Sequence, residues 1–429
     1  MTRTWWVPSS RQATWEALSQ RSLCGLAFPE PRVAEMEQLV HGLAMPARRV
    51  EERAEVIRRV ARRFARGEAL DLLTAITGRA RGMLEASMDH LLGEWASPEA
   101  AARALGAFAR GLDEGRVAVP RLTYHVLAGN VPWAGVDSLF AATLVGSASL
   151  VKLSSHEPVL AGLVARALAE EDREMGEALA VLHWPGGSRA LEEVALQEAD
   201  AVIAFGDNAA VADYAARLAH RIAAGRTRFV ARGHRVSVAV IGPRATDEHA
   251  EALALDVVSE DQEGCLSPQA IYLVGMGEPE RFAERLAAAL ERYEKNWPRA
   301  GDTALAASIQ QERAAAGFAG ARVIAPPEST AWTVVVDRTP TFVPAPAGRF
   351  ARLRVVDSLA QAVAALAPAR GLVSTIGIAG FDGAPRALSA LAPGRVCAVG
   401  KMQRPPAGWN HEGASDAAAL LQWIEWEVG

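Results

Sequence analysis

The sequence predicts an α/β protein: a parallel, doubly wound sheet, a second α/β unit after it, and a mostly helical region before it. Three observations carry that prediction. From Arg121 onward, short apolar runs of strand length alternate with helix-length amphipathic stretches, the grammar of βαβ units. Glycine-containing turns follow several of the runs, where such sheets bind ligands. Before Arg121, long Ala/Leu/Glu/Arg stretches place apolar residues at helical spacing.

Residues 1–120 form a mostly helical region, read as the N-terminal part of the cofactor-binding domain. "RVEERAEVIRRVARRFARGEALDLLTAI" shows its character, and its mixed Arg and Glu read as a solvated face with short-range ion pairs. Residues 121–235 follow as a nucleotide-type domain. "RLTYHVLAG", "SASLVKLSS", "ALAVLHWPGG", "DAVIAFGD" and "TRFVARG" are its strands, with "VSVAVIG" completing the run. "AGVDSLFAATLVG", "EPVLAGLVARALAEE", "RALEEVALQEA" and "NAAVADYAARLAHRIAAG" are its helices. Residues 236–400 repeat the alternation. "EHAEALALDVVSE", "PERFAERLAAALERYEKNWP" and "SLAQAVAALAPA" read as helices. "QAIYLVG", "TAWTVVVDR", "RFARLRVVD", "GLVSTIGIAG" and "GRVCAVG" read as strands, with "TPTFVPAPAGR" a loop packed over this unit. Residues 401–429 form a C-terminal segment.

Composition narrows the function classes. At 429 residues the chain exceeds one core, and half its residues are hydrophobic. A net charge of −5 offers no basic surface for nucleic acid or anionic membrane. No apolar run is long enough to span a bilayer, and the N-terminal residues lack a signal-peptide core. Cys24, Cys265 and Cys397 cannot make a disulfide framework and show no metal-ligand spacing. The expectation is a cytoplasmic enzyme with reduced thiols and no metal.

Chemistry concentrates at "SEDQEGCLSPQ", residues 259–269. Cys265 stands there between a predicted helix and a predicted strand, after Gly264, which leaves approach to the sulfur open. Alone, it reads equally as an inert loop thiol or a nucleophile. Two further residues line up with it. Asn130 follows one strand and Lys152 ends the next, so a β–α–β turn brings both to one rim of the sheet. An amide there can donate to an oxyanion, and a lysine can grip a ribose or phosphate.

In this order, "AGNVPWAGVDSL", "LVKLSSHEP", "DQEGCLSPQ", "LVSTIGIAG" and "VGKMQRPPAGWNHEG" resemble the acyl-CoA reductases related to the fatty-acid reductase subunit of bacterial luminescence. That family is a branch of the aldehyde dehydrogenase superfamily. The resemblance spans about 129 to 413 and implies an aldehyde-dehydrogenase-like fold with a Rossmann-like cofactor domain and a catalytic domain. It implies that Cys265 is the nucleophile and that Asn130, with the cysteine's backbone N–H, forms the oxyanion hole. It makes Lys152 the cofactor-binding lysine and "AFGDN", around Gly206, the loop meeting the nicotinamide and pyrophosphate. Ser154 and Ser155 join that cofactor set.

Two departures sharpen the reading. Aldehyde-oxidising members carry a glutamate that activates water, whereas "FVARGHRVS" has Val230 or Ala231 there. A thioester on Cys265 should then survive until a thiol or hydride reaches it. NAD-dependent members often carry a glutamate three residues after the lysine; Ser155 stands there, which favours NADPH, with NADH the alternative. The expected activity is therefore reduction of a long-chain fatty acyl thioester, on coenzyme A or a carrier protein, to the aldehyde. An acyl-transferase or synthetase partner would suit such a substrate. Short-chain acylating aldehyde dehydrogenase, an acyl-transfer or thioesterase-like module and an inactive scaffold stay open as alternatives. His234 is a candidate for assisting the thiol, or an ordinary surface or hydrogen-bonded histidine; His411 belongs to a motif that the resemblance places near the active-site mouth. Glu263 is a neighbour of the nucleophile or simply solvated, and Trp133 a pocket wall or core. Cys24 and Cys397 read as structural. Trp423 and Trp426 fall where the superfamily makes subunit contacts, so a homo-oligomer is expected.

Overall fold

The computed structural model describes residues 3–427. An antiparallel hairpin of β1 (Gln20–Leu23) and β2 (Leu26–Pro29) interrupts the N-terminal helices. A two-residue strand, β3 (Val117–Ala118), pairs antiparallel with β16 (Gln422–Trp423) near the C-terminus. Between these lie two open sheets.

The first sheet holds β4 (Leu122–Val126), β5 (Ala148–Lys152), β6 (Leu179–Leu182), β7 (Ala201–Phe205) and β8 (Arg228–Arg232). All are parallel, in the order β6-β5-β4-β7-β8. The chain leaves β4 toward one edge and later crosses to the other, so the switch point falls between β4 and β7. Ligands of doubly wound sheets sit at such points, beyond the carboxyl ends of the strands.

Gly233, His234 and Arg235 alone separate β8 from the second sheet. That sheet holds β9 (Val236–Ile241), β10 (Pro268–Val274), β11 (Arg322–Ile324), β12 (Thr333–Asp337), β13 (Phe350–Val356), β14 (Val373–Ala379) and β15 (Arg395–Ala398). Its order is β11-β12-β13-β10-β9-β14-β15, parallel except for the antiparallel β11–β12 edge. Side chains alternate across it. Ala239 and Ile241 enter one apolar cluster, Val238 and Val240 the other, so both faces are covered. The C-terminal segment returns to the first unit, where Ala407, Ala417, Leu420 and Leu421 join its core.

Three details differ from the sequence reading. The stretch 49–76 is two helices, Val50–Arg63 and Arg66–Thr77, broken at Phe64 and Ala65. The helix Thr303–Phe318 has mostly exposed or half-exposed positions and only Ile309 fully buried, so no apolar stripe announced it. The β1–β2 hairpin was hidden because β1 is nearly all exposed and carries no two-residue apolar period. Cys24 occupies its turn at φ 50°, beside Gly25 at φ 75°. It is exposed. Among the described residues no helix is long and apolar enough to cross a membrane.

Candidate active site

Cys265 sits at the mouth of β10, and the backbone before it is unusual. After the helix Asp247–Val258 the chain makes a left-handed turn, with Glu260, Asp261 and Gln262 at φ 54°, 51° and 66°. Non-glycine residues seldom adopt this region; each costs about 1–3 kcal/mol and persists only where surroundings enforce it. Here buried side-chain bonds enforce all three. Glu260 accepts from Arg79 (2.9 Å), Ser87 (2.8 Å) and the Trp133 indole (2.7 Å). Asp261 accepts from Arg349 (2.9 Å). Gln262 donates to the Pro268 and Phe350 carbonyls (2.8 and 2.9 Å) and accepts from the Phe350 N–H (2.6 Å). The turn delivers Gly264 and Cys265 to a fixed place, and Ser237 Oγ on β9 donates to the Cys265 carbonyl at 2.6 Å.

Asn130 lies in the loop after β4. Its Nδ2 donates to the Glu263 carbonyl at 3.1 Å, which aims the amide at the cysteine loop and leaves its second N–H free of that bond. Arg79 binds the two loops together. Its guanidinium, only 5% exposed, donates to the Asn130 carbonyl (2.7 Å), Glu263 (2.8 Å) and Glu260 (2.9 Å). One planar fork thus fixes the spacing between the amide and the thiol.

Around the sulfur the surroundings are polar but crowded. Burial pushes the Cys265 thiol up to about 11, and Glu412 adds to the rise; the cysteine's own N–H, Arg232 and Ser374 pull it down. The Ser374 hydroxyl is buried with no other partner. Glu412 stands at φ 60° on a tight turn, held by Arg235 at 2.8 Å. His411, next to it, stacks on Trp409 at 4.8 Å, and burial lowers its pKa. Arg232 anchors this segment by donating to the His411 carbonyl (2.7 Å) and to Asp416. The loops after β4, β7 and β8, the cysteine loop and the C-terminal segment enclose one cavity of about 910 Å³.

Cys265, Asn130 and Gly206 all line this cavity, as do His234, His411, Glu263 and Trp133. Lys152, Ser154 and Ser155 do not; they stand farther along the same sheet rim, Lys152 at the end of β5 and the serines just after it. Ser155 Oγ is engaged with His183 Nε2 (3.0 Å) and Ser154 Oγ with the His156 N–H (3.2 Å). The Lys152 ammonium is half-buried, with no hydrogen bond or ion pair to any described residue, and burial lowers its pKa. A half-buried cation with no direct ion pair, Glu192 acting on it only through space, suits an anionic or hydroxyl-rich ligand, so the rim fits the ribose end of a nicotinamide cofactor. Val230 is buried and Ala231 brings no carboxylate, so β8 offers no water-activating acid. The Cys24 sulfur lies 3.9 Å from the Ser155 carbonyl, and Cys397 is half-buried beside Arg395 at 3.1 Å. Among the described residues no cluster of His, Cys, Asp or Glu could hold a metal ion.

Sequence reasoning missed Arg79, Glu412 and Asp137. Arg79 lies among surface-type arginines in a helical region, and nothing local distinguishes it. "NHEG" drew attention to its histidine, although the glutamate lies nearer the sulfur's field. Asp137 interrupts the apolar helix Trp133–Val145, a signal the pattern did contain.

Comparison with known proteins gives the family and the fold. A family model described as acyl-CoA reductase (LuxC) matches residues 103–423. The long-chain acyl-protein thioester reductase of Aliivibrio fischeri is 27% identical over 249 residues, covering 56% of this chain and 50% of that protein. That of Vibrio harveyi is 30% identical over 221 residues, covering 50% and 44%. Thioester reductase 2 of Photobacterium leiognathi is 25% identical over 352 residues, covering 80% and 69%. The chain thus matches about half the length of the first two relatives. An aldehyde dehydrogenase of Brucella melitensis superposes with a TM-score of 0.74 at 14% identity, covering 98% of this chain and 96% of that one. Lactaldehyde dehydrogenase of Escherichia coli gives 0.70 at 17%, covering 98% of each. The fold is that of the aldehyde dehydrogenases.

Proposed function

The chain belongs to the acyl-CoA reductase (LuxC) family, and on that premise we propose that it reduces a long-chain acyl thioester to the aldehyde through an acyl-Cys265 intermediate, using NADPH. The observation that carries this reading is the meeting of Cys265, Asn130 and Gly206 in one cavity at the switch point of the first sheet.

Cys265 attacks the thioester carbonyl, and its proton leaves with the departing thiol. The developing oxyanion is held by the Asn130 amide and the Cys265 backbone N–H. Arg79 keeps these two donors in register across both steps. A bound nicotinamide cofactor supplies the hydride that reduces the acyl-enzyme carbonyl. The same pair of donors holds the second oxyanion, and its collapse returns the Cys265 thiolate and releases the aldehyde. Val230 and Ala231 leave water unactivated on the β8 side, which favours hydride over hydrolysis. Lys152 would hold the cofactor ribose, with Ser154 and Ser155 beside it and Gly206 leaving room at the pyrophosphate; the absence of a carboxylate at Ser155 supports NADPH over NADH. The acyl group would arrive on coenzyme A or a carrier protein, delivered by an acyl-transferase or synthetase. Exposed Trp423 and Trp426 support a homo-oligomer, and the chain's composition a cytoplasmic setting.

The test is loss of reduced-nicotinamide absorbance with acyl-CoAs of several lengths, NADPH against NADH, with mass spectrometry of Cys265 in cofactor-free samples. Aldehyde formation and an acylated Cys265 are expected. Release of thiol without cofactor oxidation would move the protein to the acyl-transfer class.

A further inference from the structure

Between the cysteine loop and the first unit, the cavity runs inward as an arm along the helix Trp133–Val145. Ala134, Asp137 and Ala141 repeat at helical spacing and all line it, so one helix face forms a wall. Leu91 and Trp95, on the helix Arg81–Trp95, line it as well. Small and apolar residues are what an acyl chain needs. Asp137 departs from that pattern with an oxygen left unpaired. Its Oδ1 accepts from the Trp95 indole N–H at 2.6 Å, while Oδ2 has no partner among the described residues. The other polar groups of the arm are committed: Ser87 to Glu260 (2.8 Å), His90 to the Pro405 carbonyl (2.8 Å), Glu94 to Arg103 (2.8 Å) and the Ala407 N–H (3.1 Å).

We propose that Asp137 is a specificity-determining residue that selects acyl thioesters bearing a hydroxyl group along the chain, through a hydrogen bond to its unpartnered Oδ2. This rests on the acyl-thioester reading of the same site. Asp137 lies four residues beyond Trp133, about 6 Å farther along the helix at 1.5 Å per residue. Trp133 is itself bonded to the turn that carries Cys265, so the hydroxyl belongs several carbons from the thioester carbonyl. Burial, with Asp416 and Glu94 nearby, lifts the Asp137 carboxyl to about 7, so both protonation states occur near neutrality. A hydroxyl donates to the carboxylate and accepts from the acid, and therefore fits both. An ammonium or a second carboxylate would fit only one. A plain alkyl chain would cover Oδ2 without satisfying it, and buried polar groups left unpaired are how such sites reject analogues.

The test compares acyl-CoAs of equal length, plain or with the hydroxyl moved along the chain. Two readouts are used: affinity for the Cys265→Ala protein, and kcat/KM of the otherwise native enzyme with NADPH. One hydroxyl position is expected to exceed the plain chain by about tenfold or more in both. Asp137→Leu should abolish or reverse that preference, and Asp137→Asn, which keeps a hydrogen-bonding group, should retain much of it. Equal binding of plain and hydroxylated chains, or a preference that survives Asp137→Leu in a folded protein, overturns the proposal. If neither thioester is reduced while binding still discriminates, the reductase reading falls and the assignment of Asp137 stands.

Discussion

At the scale of single residues, the site combines a hard-to-ionise thiol with a well-aimed donor. Because burial holds the Cys265 thiol near 11, its thiolate fraction rises about tenfold per pH unit until that value. Alkylation of Cys265 by iodoacetamide, followed by mass spectrometry, should therefore climb through pH 9 and 10, where a free cysteine, with a pKa of about 8.5, has levelled off. Loss of the Asn130 amide should cost on the order of 10²–10³ in kcat, measured with Asn130→Ala and Asn130→Asp side by side. Asp137 gives a stability prediction with a definite sign. Its folded pKa is raised from 3.8 to about 7, so the native state holds the proton more tightly than the unfolded chain. That contribution is complete at acid pH and is lost as pH rises through about 4 to 7. Asp137→Asn, which cannot ionise, should melt several degrees above the parent at pH 8, with the gain shrinking toward pH 5.

Elements explain what the sequence could and could not say. Strands β4 to β10 were readable because each is a short apolar run between turn residues, and a parallel sheet buried on both faces demands such runs. Asn130 and Cys265 were readable because their motifs stand at the ends of those strands. The turn that aims Cys265 was not, since Glu260, Asp261 and Gln262 look like an ordinary polar loop. What makes it rigid arrives from Arg79, Trp133, Arg349 and Phe350, none of them local. Arg79→Met should leave Glu260 buried without its cation, a loss of about 3–5 kcal/mol by denaturant unfolding. In whatever folds, Cys265 acylation should slow, and Arg79→Lys should restore stability better than rate. Close approaches carry similar information: an added Cβ at Gly162 would lie 1.7 Å from the Thr4 carbonyl. Gly162→Ala should push the N-terminal segment off its helix and cost about 1–3 kcal/mol, read as a lower Tm.

For the whole molecule, the two sheets meet through three residues, and the cavity is completed by segments from both ends of the chain. Arg79 comes from the helical region, and Trp409, His411 and Glu412 from the C-terminal segment. The C-terminal residues Ala407, Ala417, Leu420 and Leu421 pack into the core of the first unit, because packing depends on apolar faces and not on order along the chain. The left-handed turn before Cys265 also has a consequence in time. During synthesis the cysteine emerges long before Arg349 and Phe350, and longer still before His411 and Glu412. Until those residues arrive, Glu260 has its partners Arg79, Ser87 and Trp133, but Asp261 lacks Arg349 and Gln262 lacks Phe350, so the turn is only partly braced. A part-made chain therefore carries Cys265 on a turn braced from one side only, and the surroundings of the sulfur are complete only once Glu412 has been made.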